Sequence, residues 1–325
     1  MMLKKLALLA VMAVLALPSP SQAANEKIKI LSGPTSGAWY VGMGAVAKAI
    51  NKQFPDIDVN LLPGGGLSNP GRLSKGEGEL SIGTHSIMVS AAKGLDPFRK
   101  PVTGVSSIFN LNDVSRLHII GIGKNAPKSL ESMIKNKQPV HMVVGPMGSG
   151  TELWVRWMLS CYGVTYKDIQ SWGGKVITNN FDDAADMAKD GNVDLLFWLG
   201  PGEIWFVVEL SKNTTLNWIP VSDELFQKMH ETYGVQKTEI PSTMFSGVVG
   251  KNVPALCDAA ELLVRSNLSE DLVYRMTKAI VEGREDIGTA NAGWKTMAPE
   301  TGPQNLAFPL HPGAAKYYKE IGVLK

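Results

Sequence analysis

Strand-like and helix-like segments alternate along almost the whole chain, and this alternation limits the folds that the sequence can adopt. A strand shows a short alternating or β-branched apolar run, whereas a helix shows apolar residues three and four positions apart. The predicted strands are Lys27–Leu31, Asp58–Leu62, Leu80–Gly83, Leu117–Gly123, Val140–Gly145 and Val193–Trp198. The predicted helices are Gly42–Phe54, Thr151–Tyr162, Phe181–Lys189, Ser222–Thr232, Pro254–Ser266 and Glu270–Glu282. This order predicts an α/β fold with mostly parallel sheets whose faces are covered by helices.

The length of the chain favours two packed units, because 325 residues exceed what a single core usually supports. We predict that the chain crosses from one sheet to the other near 111–115 and returns near 238–247. Residues 24–115 plus 240–325 then form one lobe, and residues 116–239 form the second. Two lobes linked by few strands can hinge about a cleft.

The N-terminus has the pattern of a secretory signal peptide. Lys4 and Lys5 precede the apolar run Leu6–Leu17, and small residues follow up to Ala23. About a dozen apolar residues are too few to span a bilayer core, which needs roughly 20. We therefore predict cleavage after Ala23, removal of residues 1–23 and export to the periplasm; a short membrane anchor is the alternative.

Charge and cysteine content exclude several classes of function. Without Lys4 and Lys5 the chain carries 30 basic and 30 acidic residues, so it has no general attraction for nucleic acid. Cys161 and Cys257, each in an apolar stretch that reads as helical, are predicted to be buried free thiols, with a disulfide as the alternative. The five histidines are scattered, and no Cys/His cluster has the spacing of a metal site. We expect no metal and no cofactor.

Four loops that end predicted strands are rich in Gly, Ser or Thr, and the first and fourth of them lead into predicted helices. In parallel α/β sheets, ligands bind beyond the carboxyl ends of the strands, where helix N-termini offer free N–H groups to anions. A fifth candidate segment at the end of the apolar strand Val193–Trp198 holds Trp198 and Gly200, and the Trp198 indole either stacks on the ligand or seals the cleft. The candidate ligand-binding residues in the four loops are Thr35, Ser36, Gly37, Trp39, Tyr40, Gly66, Ser68, Asn69, Thr84, His85, Ser86, Gly148, Ser149, Gly150 and Thr151.

Each loop also has a purely structural interpretation. The first can be a capped turn, and the glycines of the second, which let a backbone approach a ligand, can form a flexible turn. Ser68 or Asn69 can cap a helix, and His85 can be a surface residue. The fourth loop lacks the lysine of a phosphate-binding P-loop, because Thr151 stands in that position. No catalytic set emerges, since no Gly-x-Ser-x-Gly elbow and no cysteine with a neighbouring base is present.

Five short motifs follow one another along the chain in a fixed order and at a defined spacing. They are Gly37-Ala38-Trp39-Tyr40, Asn69 seven residues before Gly76-Glu77, Gly148-Ser149-Gly150-Thr151, Asp190-Gly191-Asn192-Val193-Asp194 and Leu310-His311-Pro312-Gly313-Ala314. As a set they resemble the TAXI family of extracytoplasmic solute receptors, which serve TRAP-type secondary transporters. The resemblance covers essentially the whole chain after residue 23. It implies a periplasmic-binding-protein-like fold with a ligand cleft between two hinged lobes, and ligands such as glutamate, related amino acids and dicarboxylates.

The sequence departs from the family pattern at positions that concern the ligand. Gly66 replaces a usual serine, and Thr84-His85-Ser86 replaces a Gln-Ser-Asp-like triplet. A usual tyrosine after Ile240-Pro241 appears as Met244 or Phe245. With no acidic group at Ser86 to hold an ammonium, a ligand with carboxylates but no amine fits better.

The sequence therefore predicts a periplasmic, monomeric solute receptor rather than an enzyme. Its expected ligand is a small anionic metabolite (a dicarboxylate, an oxo acid or an acidic amino acid), and its expected partner is a TRAP membrane permease. Two alternatives remain, a ligand-sensing subunit for a membrane kinase and an enzyme built on the same fold.

Overall fold

A computed structural model describes residues 26–35, 37–179 and 181–325. The predicted signal peptide and Ser36 lie outside these residues. The strands are β1 (Glu26–Leu31), β2 (Ile57–Leu62), β3 (Leu80–Thr84), β4 (Val105–Asn110), β5 (Ser115–Ile122), β6 (His141–Val143), β7 (Lys175–Ile177), β8 (Leu195–Gly200), β9 (Leu216–Trp218), β10 (Gln236–Ile240), β11 (Val253–Asp258) and β12 (Ala260–Arg265). The helices are α1 (Ala38–Gln53), α2 (Asn69–Ser74), α3 (His85–Lys93), α4 (Leu130–Lys135), α5 (Gly150–Ser160), α6 (Tyr166–Ser171), α7 (Phe181–Lys189), α8 (Trp205–Ser211), α9 (Asp223–Tyr233), α10 (Glu270–Glu282), α11 (Arg284–Ala290) and α12 (Pro312–Glu320).

The strands form two sheets, as the α/β prediction of two lobes requires. The first sheet has the order β2-β1-β3-β12-β4, and the second has the order β10-β11-β5-β8-β6-β7, with β9 also paired to β5. The sheets are mixed rather than mostly parallel. β1 runs parallel to β2 and β3, but β12 is antiparallel to both of its neighbours, and β5 is antiparallel to β8, β9 and β11.

The segment predicted as the helix Pro254–Ser266 is the main error of the sequence analysis. It forms β11 and β12, which lie in different sheets and are separated by Ala259 alone. Its Ala, Leu and Glu residues favour a helix, but β12 is covered on both faces and paired on both edges, and an apolar run in that setting is a strand. Cys257 therefore lies on a strand, while Cys161 directly follows α5; both are free thiols, Cys257 buried and Cys161 half-buried.

The chain crosses between the sheets at two short links. The first link is 111–114, between β4 and β5, where a crossing was predicted. The return near 238–247 was predicted wrongly, because β10 and β11 both belong to the second sheet and the return is at Ala259. Strand pairing groups residues 240–258 with the second sheet. The boundaries of the two lobes stay a proposal.

Apolar side chains of both sheets pack into one continuous cluster. Leu31 and Leu263 of the first sheet belong to it together with Leu117 and Phe197 of the second. Two further clusters each lie against one sheet. Within the described residues, no helix has the length and apolar character to cross a membrane.

Candidate functional site

Loops from both sheets meet around a cavity of about 470 Å³. Because β1, β2 and β3 are parallel, their carboxyl ends lie at one edge of the first sheet, and the loop after β6 of the second sheet faces them. The first, second and fourth predicted loops are thus brought together. The residues that line the cavity are Pro34, Trp39, Gly65, Gly66, Leu67, Ser68, Thr84, Ile87, Gly148, Ser149 and Gly150.

Two long helices begin at this cavity. α1 starts after Gly37, which makes no side-chain cap, and α5 starts after Ser149, whose Oγ accepts a hydrogen bond from the Glu152 N–H at 3.3 Å. Among the described residues, the backbone N–H groups of Gly150 and Thr151 have no acceptor. A helix N-terminus carries a partial positive charge, so both helix starts favour a negative group in the cavity.

Asn69 shapes the glycine loop but does not line the cavity. Its buried Nδ2 donates to the carbonyls of Leu31, Ser32 and Ile82 at 3.3, 3.0 and 2.8 Å, and its Oδ1 accepts from Gly65 N at 3.0 Å. A Cβ at Gly64 would lie 2.3 Å from that Oδ1, so only glycine fits there. Asn69 therefore has a structural role in the described protein, and its predicted contact with a ligand stays a prediction.

Gly66, Ser68, Thr84 and Trp39 line the cavity, and their predicted role in ligand binding stays a prediction. A Cβ at Gly66 would lie 3.4 Å from both the Thr84 hydroxyl and the Trp39 ring, so glycine leaves this space open. Ser68 Oγ donates to Gly65 O at 3.2 Å and fixes the turn.

The fourth loop is held from behind by a fully buried carboxylate. Gly148 N donates to Glu152 Oε2 at 3.1 Å, and Arg156 Nε donates to Glu152 Oε1 at 2.8 Å. Thr151 Oγ1 accepts from Leu199 N at 3.2 Å and ties α5 to β8. The expected nest of free amides therefore lacks Gly148 N, which is occupied, whereas Thr151 turns only its side chain toward β8 and keeps its backbone N–H without an acceptor among the described residues.

The third loop contributes Thr84 alone, because the next two residues are buried at the crossing between the sheets. Ser86 donates from Oγ and N to the Asp258 carboxylate, and Trp154 Nε1 donates to Ser86 Oγ at 3.0 Å. His85 N donates to Ala259 O at 2.7 Å. The α3 N-terminus is thus capped by the protein itself. Ser86, the position discussed above for holding the ammonium of a ligand, does not face the cavity.

The same crossing holds several buried ionisable groups. Burial raises the pKa of Asp258. Burial disfavours a charged His85 ring, but the carboxylates of Glu261, 3.9 Å from Nδ1, and Asp258 outweigh burial, and the pKa of His85 is raised. His85 therefore lies beside the protein's own carboxylates and does not line the cavity, and its predicted contact with a ligand stays a prediction.

Trp198 and Gly200 were also predicted at the site, but neither lines the cavity. Trp198 stacks on His118 with ring centroids 5.3 Å apart, and a Cβ at Gly200 would lie 2.4 Å from the indole. Thr35, Gly37 and Tyr40 belong to the first loop without lining the cavity either. Within the described residues, no cluster of His, Cys, Asp and Glu could hold a metal ion.

Sequence reasoning missed several contributors to the site, among them Pro34, Gly65 and Leu67 of the lining. Ile87 forms part of the cavity wall, Glu152 holds the fourth loop, and Asp258 caps α3. A signal for Glu152 was present, because Ser149 followed three residues later by a glutamate is the spacing of a helix capping box. Asp258 had no such signal, since it lies 172 positions from Ser86 in sequence.

Residues 30–322 match the model of the NMT1-like family, and this match spans most of the fold described above. The chain belongs to the NMT1-like family. The narrower TAXI assignment remains a prediction.

This NMT1-like chain also resembles solved structures. MatC from Rhodopseudomonas palustris, solved with bound malate, is 12% identical with a TM-score of 0.50, covering 91% of this chain and 96% of that chain. PhnD1 from Prochlorococcus marinus, solved in complex with methylphosphonate, is 13% identical with a TM-score of 0.49, covering 91% of this chain and 96% of that chain. Because the sequence identity is this low, the similarity between the NMT1-like chain and MatC concerns the fold alone.

Proposed function

We propose that this NMT1-like protein is an exported, monomeric solute receptor that binds a small anionic metabolite between its lobes and delivers it to a TRAP-type permease. The observation that carries the proposal is the cavity of about 470 Å³, which loops of both sheets line together. A ligand there contacts both lobes at once, and a ligand that binds one arrangement of the lobes better shifts the population toward it.

The lining supports binding of an anion. Ser149 Oγ accepts from Glu152 N, and among the described residues its hydroxyl proton has no acceptor, so it can donate to a ligand. Thr84 presents a second hydroxyl, and Gly150 presents a backbone N–H. Trp39 and Ile87 supply apolar wall on which the rest of a metabolite can pack.

The same lining supports a receptor rather than an enzyme. Among the described residues that line the cavity, the reactive side chains are the hydroxyls of serine and threonine alone. General acid–base catalysis and nucleophilic catalysis need a base within hydrogen-bond reach of such a hydroxyl. The buried Glu152 does not serve as such a base, because its carboxylate is already paired with Arg156 and Gly148 N.

A thermal-shift screen of small carboxylates against the mature protein tests the proposal. A true ligand raises the melting temperature, because it binds the folded state and not the unfolded chain. Ser149→Ala is expected to weaken binding by about 1 to 3 kcal/mol as one donor is lost.

The control is Ser269→Ala. Ser269 caps α10 by accepting from Leu272 N at 3.2 Å, as Ser149 caps α5, but it does not line the cavity. Both variants are expected to lose about 1 kcal/mol of stability, and only Ser149→Ala should lose affinity. Equal affinity in wild type and both variants would place the ligand elsewhere.

A further inference from the structure

The cavity has an electrostatic character that restricts its ligand. Among the described residues that line it, none carries a charged side chain. A receptor for a dianion needs two positive counterparts, because a buried charge without a partner is strongly unfavourable.

The positive potential at the cavity comes from the starts of α1 and α5. Each helix start is equivalent to about half an elementary charge, so the two together balance roughly one negative charge. The free N–H groups of Gly150 and Thr151 are the donors that α5 contributes within the described chain.

The charged groups behind the lining do not add to this potential. Arg72 donates to Pro63 O at 2.8 Å, at the start of the glycine loop, but it is paired with Glu77 at 2.9 Å. Arg156 is paired with both Glu152 and Asp96 at 2.8 Å, which leaves that group with an excess of one negative charge. On the other side, Asp258 is fully buried behind Ser86.

Apart from the serine and threonine hydroxyls and the main chain of the glycines, the wall is apolar. Pro34, Trp39, Leu67 and Ile87 line the cavity beside its few hydroxyls. Transfer of apolar ligand surface onto such a wall is favourable, whereas a second carboxylate placed against it loses its hydration without gaining a partner.

We infer that the ligand is a monocarboxylate with an apolar body, and that dicarboxylates of the same length are excluded. This inference rests on the proposed function and narrows the broader anionic class given there.

Paired acids of equal chain length test the inference, measured by calorimetry on the mature protein at low salt. The pairs are butanoate with succinate, pentanoate with glutarate, and hexanoate with adipate. We expect each monocarboxylate that binds to bind at least about tenfold more tightly than its dicarboxylate partner. The amide hexanamide should bind more weakly than hexanoate, because it carries no charge for the helix starts to stabilise.

A variant that adds a cation checks the cause. Ser68→Lys places an ammonium at the exposed rim of the cavity and should improve succinate, glutarate or adipate binding by about tenfold relative to the matching monocarboxylate. Ser74→Lys is the matched control, since it adds the same charge on α2 outside the lining. It should leave the ratio unchanged.

The outcomes separate this inference from the receptor proposal. If a dicarboxylate binds the wild-type protein as tightly as its monocarboxylate partner, the inference is overturned and the receptor role stands. If the ratio responds equally to Ser68→Lys and Ser74→Lys, the local electrostatic cause is overturned. If no acid of either kind binds, the receptor proposal for small carboxylates fails, and the inference fails with it.

Discussion

Asn69 joins three segments of the first sheet through one side-chain amide. Its four hydrogen bonds reach the end of β1, the middle of β3 and the glycine loop after β2. All of these partners are main-chain groups, and a buried main-chain group that loses its partner costs free energy comparable to a lost hydrogen bond. Asn69 therefore fixes the wall of the cavity without lining it.

Asn69→Ala is expected to lower the free energy of unfolding by about 2 to 4 kcal/mol, since it leaves several buried carbonyls unpaired. Chemical denaturation measures this change. Asn60→Ala is the control, because Asn60 is exposed on β2 and should change stability by less than about 0.5 kcal/mol. Similar losses in the two variants would contradict the role given to Asn69.

His118 makes stability depend on pH. Burial, aided by the charge of Arg116, lowers the pKa of His118 to about 4, and its ring is stacked on Trp198. Its pKa is below the unfolded value of about 6.5, so the unfolded chain binds the proton first. The neutral buried ring therefore contributes full stability above pH 6.5, and this contribution falls away as the pH drops toward 4.

The predicted loss is on the order of 3 kcal/mol between pH 6.5 and pH 4. It is measured as the difference in unfolding free energy between wild type and His118→Phe at each pH, which removes the effects of other titrating groups. A difference that stays constant over this range would show that His118 titrates normally.

At the scale of elements, the α5 N-terminus connects the cavity to the surface through a series of charged groups. Gly148 N contacts Glu152, Glu152 contacts Arg156, and Arg156 contacts Asp96 in the segment after α3. The two ion pairs of Arg156 differ in burial, since Glu152 is fully buried and the Asp96 side chain is 49% exposed. Ion pairs in water contribute little, whereas a broken buried pair is costly.

Glu152→Gln is therefore expected to destabilise the protein by about 3 kcal/mol, and Asp96→Asn by less than about 1 kcal/mol. Urea denaturation of both variants provides the comparison. If Asp96→Asn proved the more damaging change, the buried pair would not be what holds the fourth loop.

The sequence predicted elements best where local signals agreed with tertiary contacts. The helices Phe181–Lys189 and Glu270–Glu282 have the predicted bounds, because their amphipathic spacing matches the face that they bury. Thr84, Gly66 and Ser149 were placed at the cavity by their position after strands. β11 and β12 were missed because pairing partners distant in sequence decide their conformation, and Ser86 was misplaced because Asp258 is far away in the chain.

At the scale of the whole molecule, the two lobes share part of their core. The cluster that contains Leu31 and Leu263 also contains Leu117 and Phe197 of the second sheet, together with Trp154. Neither lobe can lose these contacts without exposing the apolar surface of the other.

We expect the mature protein to unfold in a single transition for this reason. Tryptophan fluorescence and far-ultraviolet circular dichroism should give coincident denaturation curves, the test for an all-or-none transition. Ligand-free protein is the sample to use, since a ligand would itself couple the lobes. Two separated transitions would mean that the shared cluster contributes little to coupling the unfolding of the two lobes.

The one-residue link at Ala259 restricts how the lobes can move. One residue cannot lengthen, so we expect any relative motion of the lobes to be a rotation whose axis passes near Ala259 and the 111–114 link. Thr84 pairs with Ala260, the next residue along the chain. Displacement in a rotation grows with distance from the axis, so we expect the Thr84 hydroxyl to move little and to serve as a nearly stationary reference point on the cavity wall.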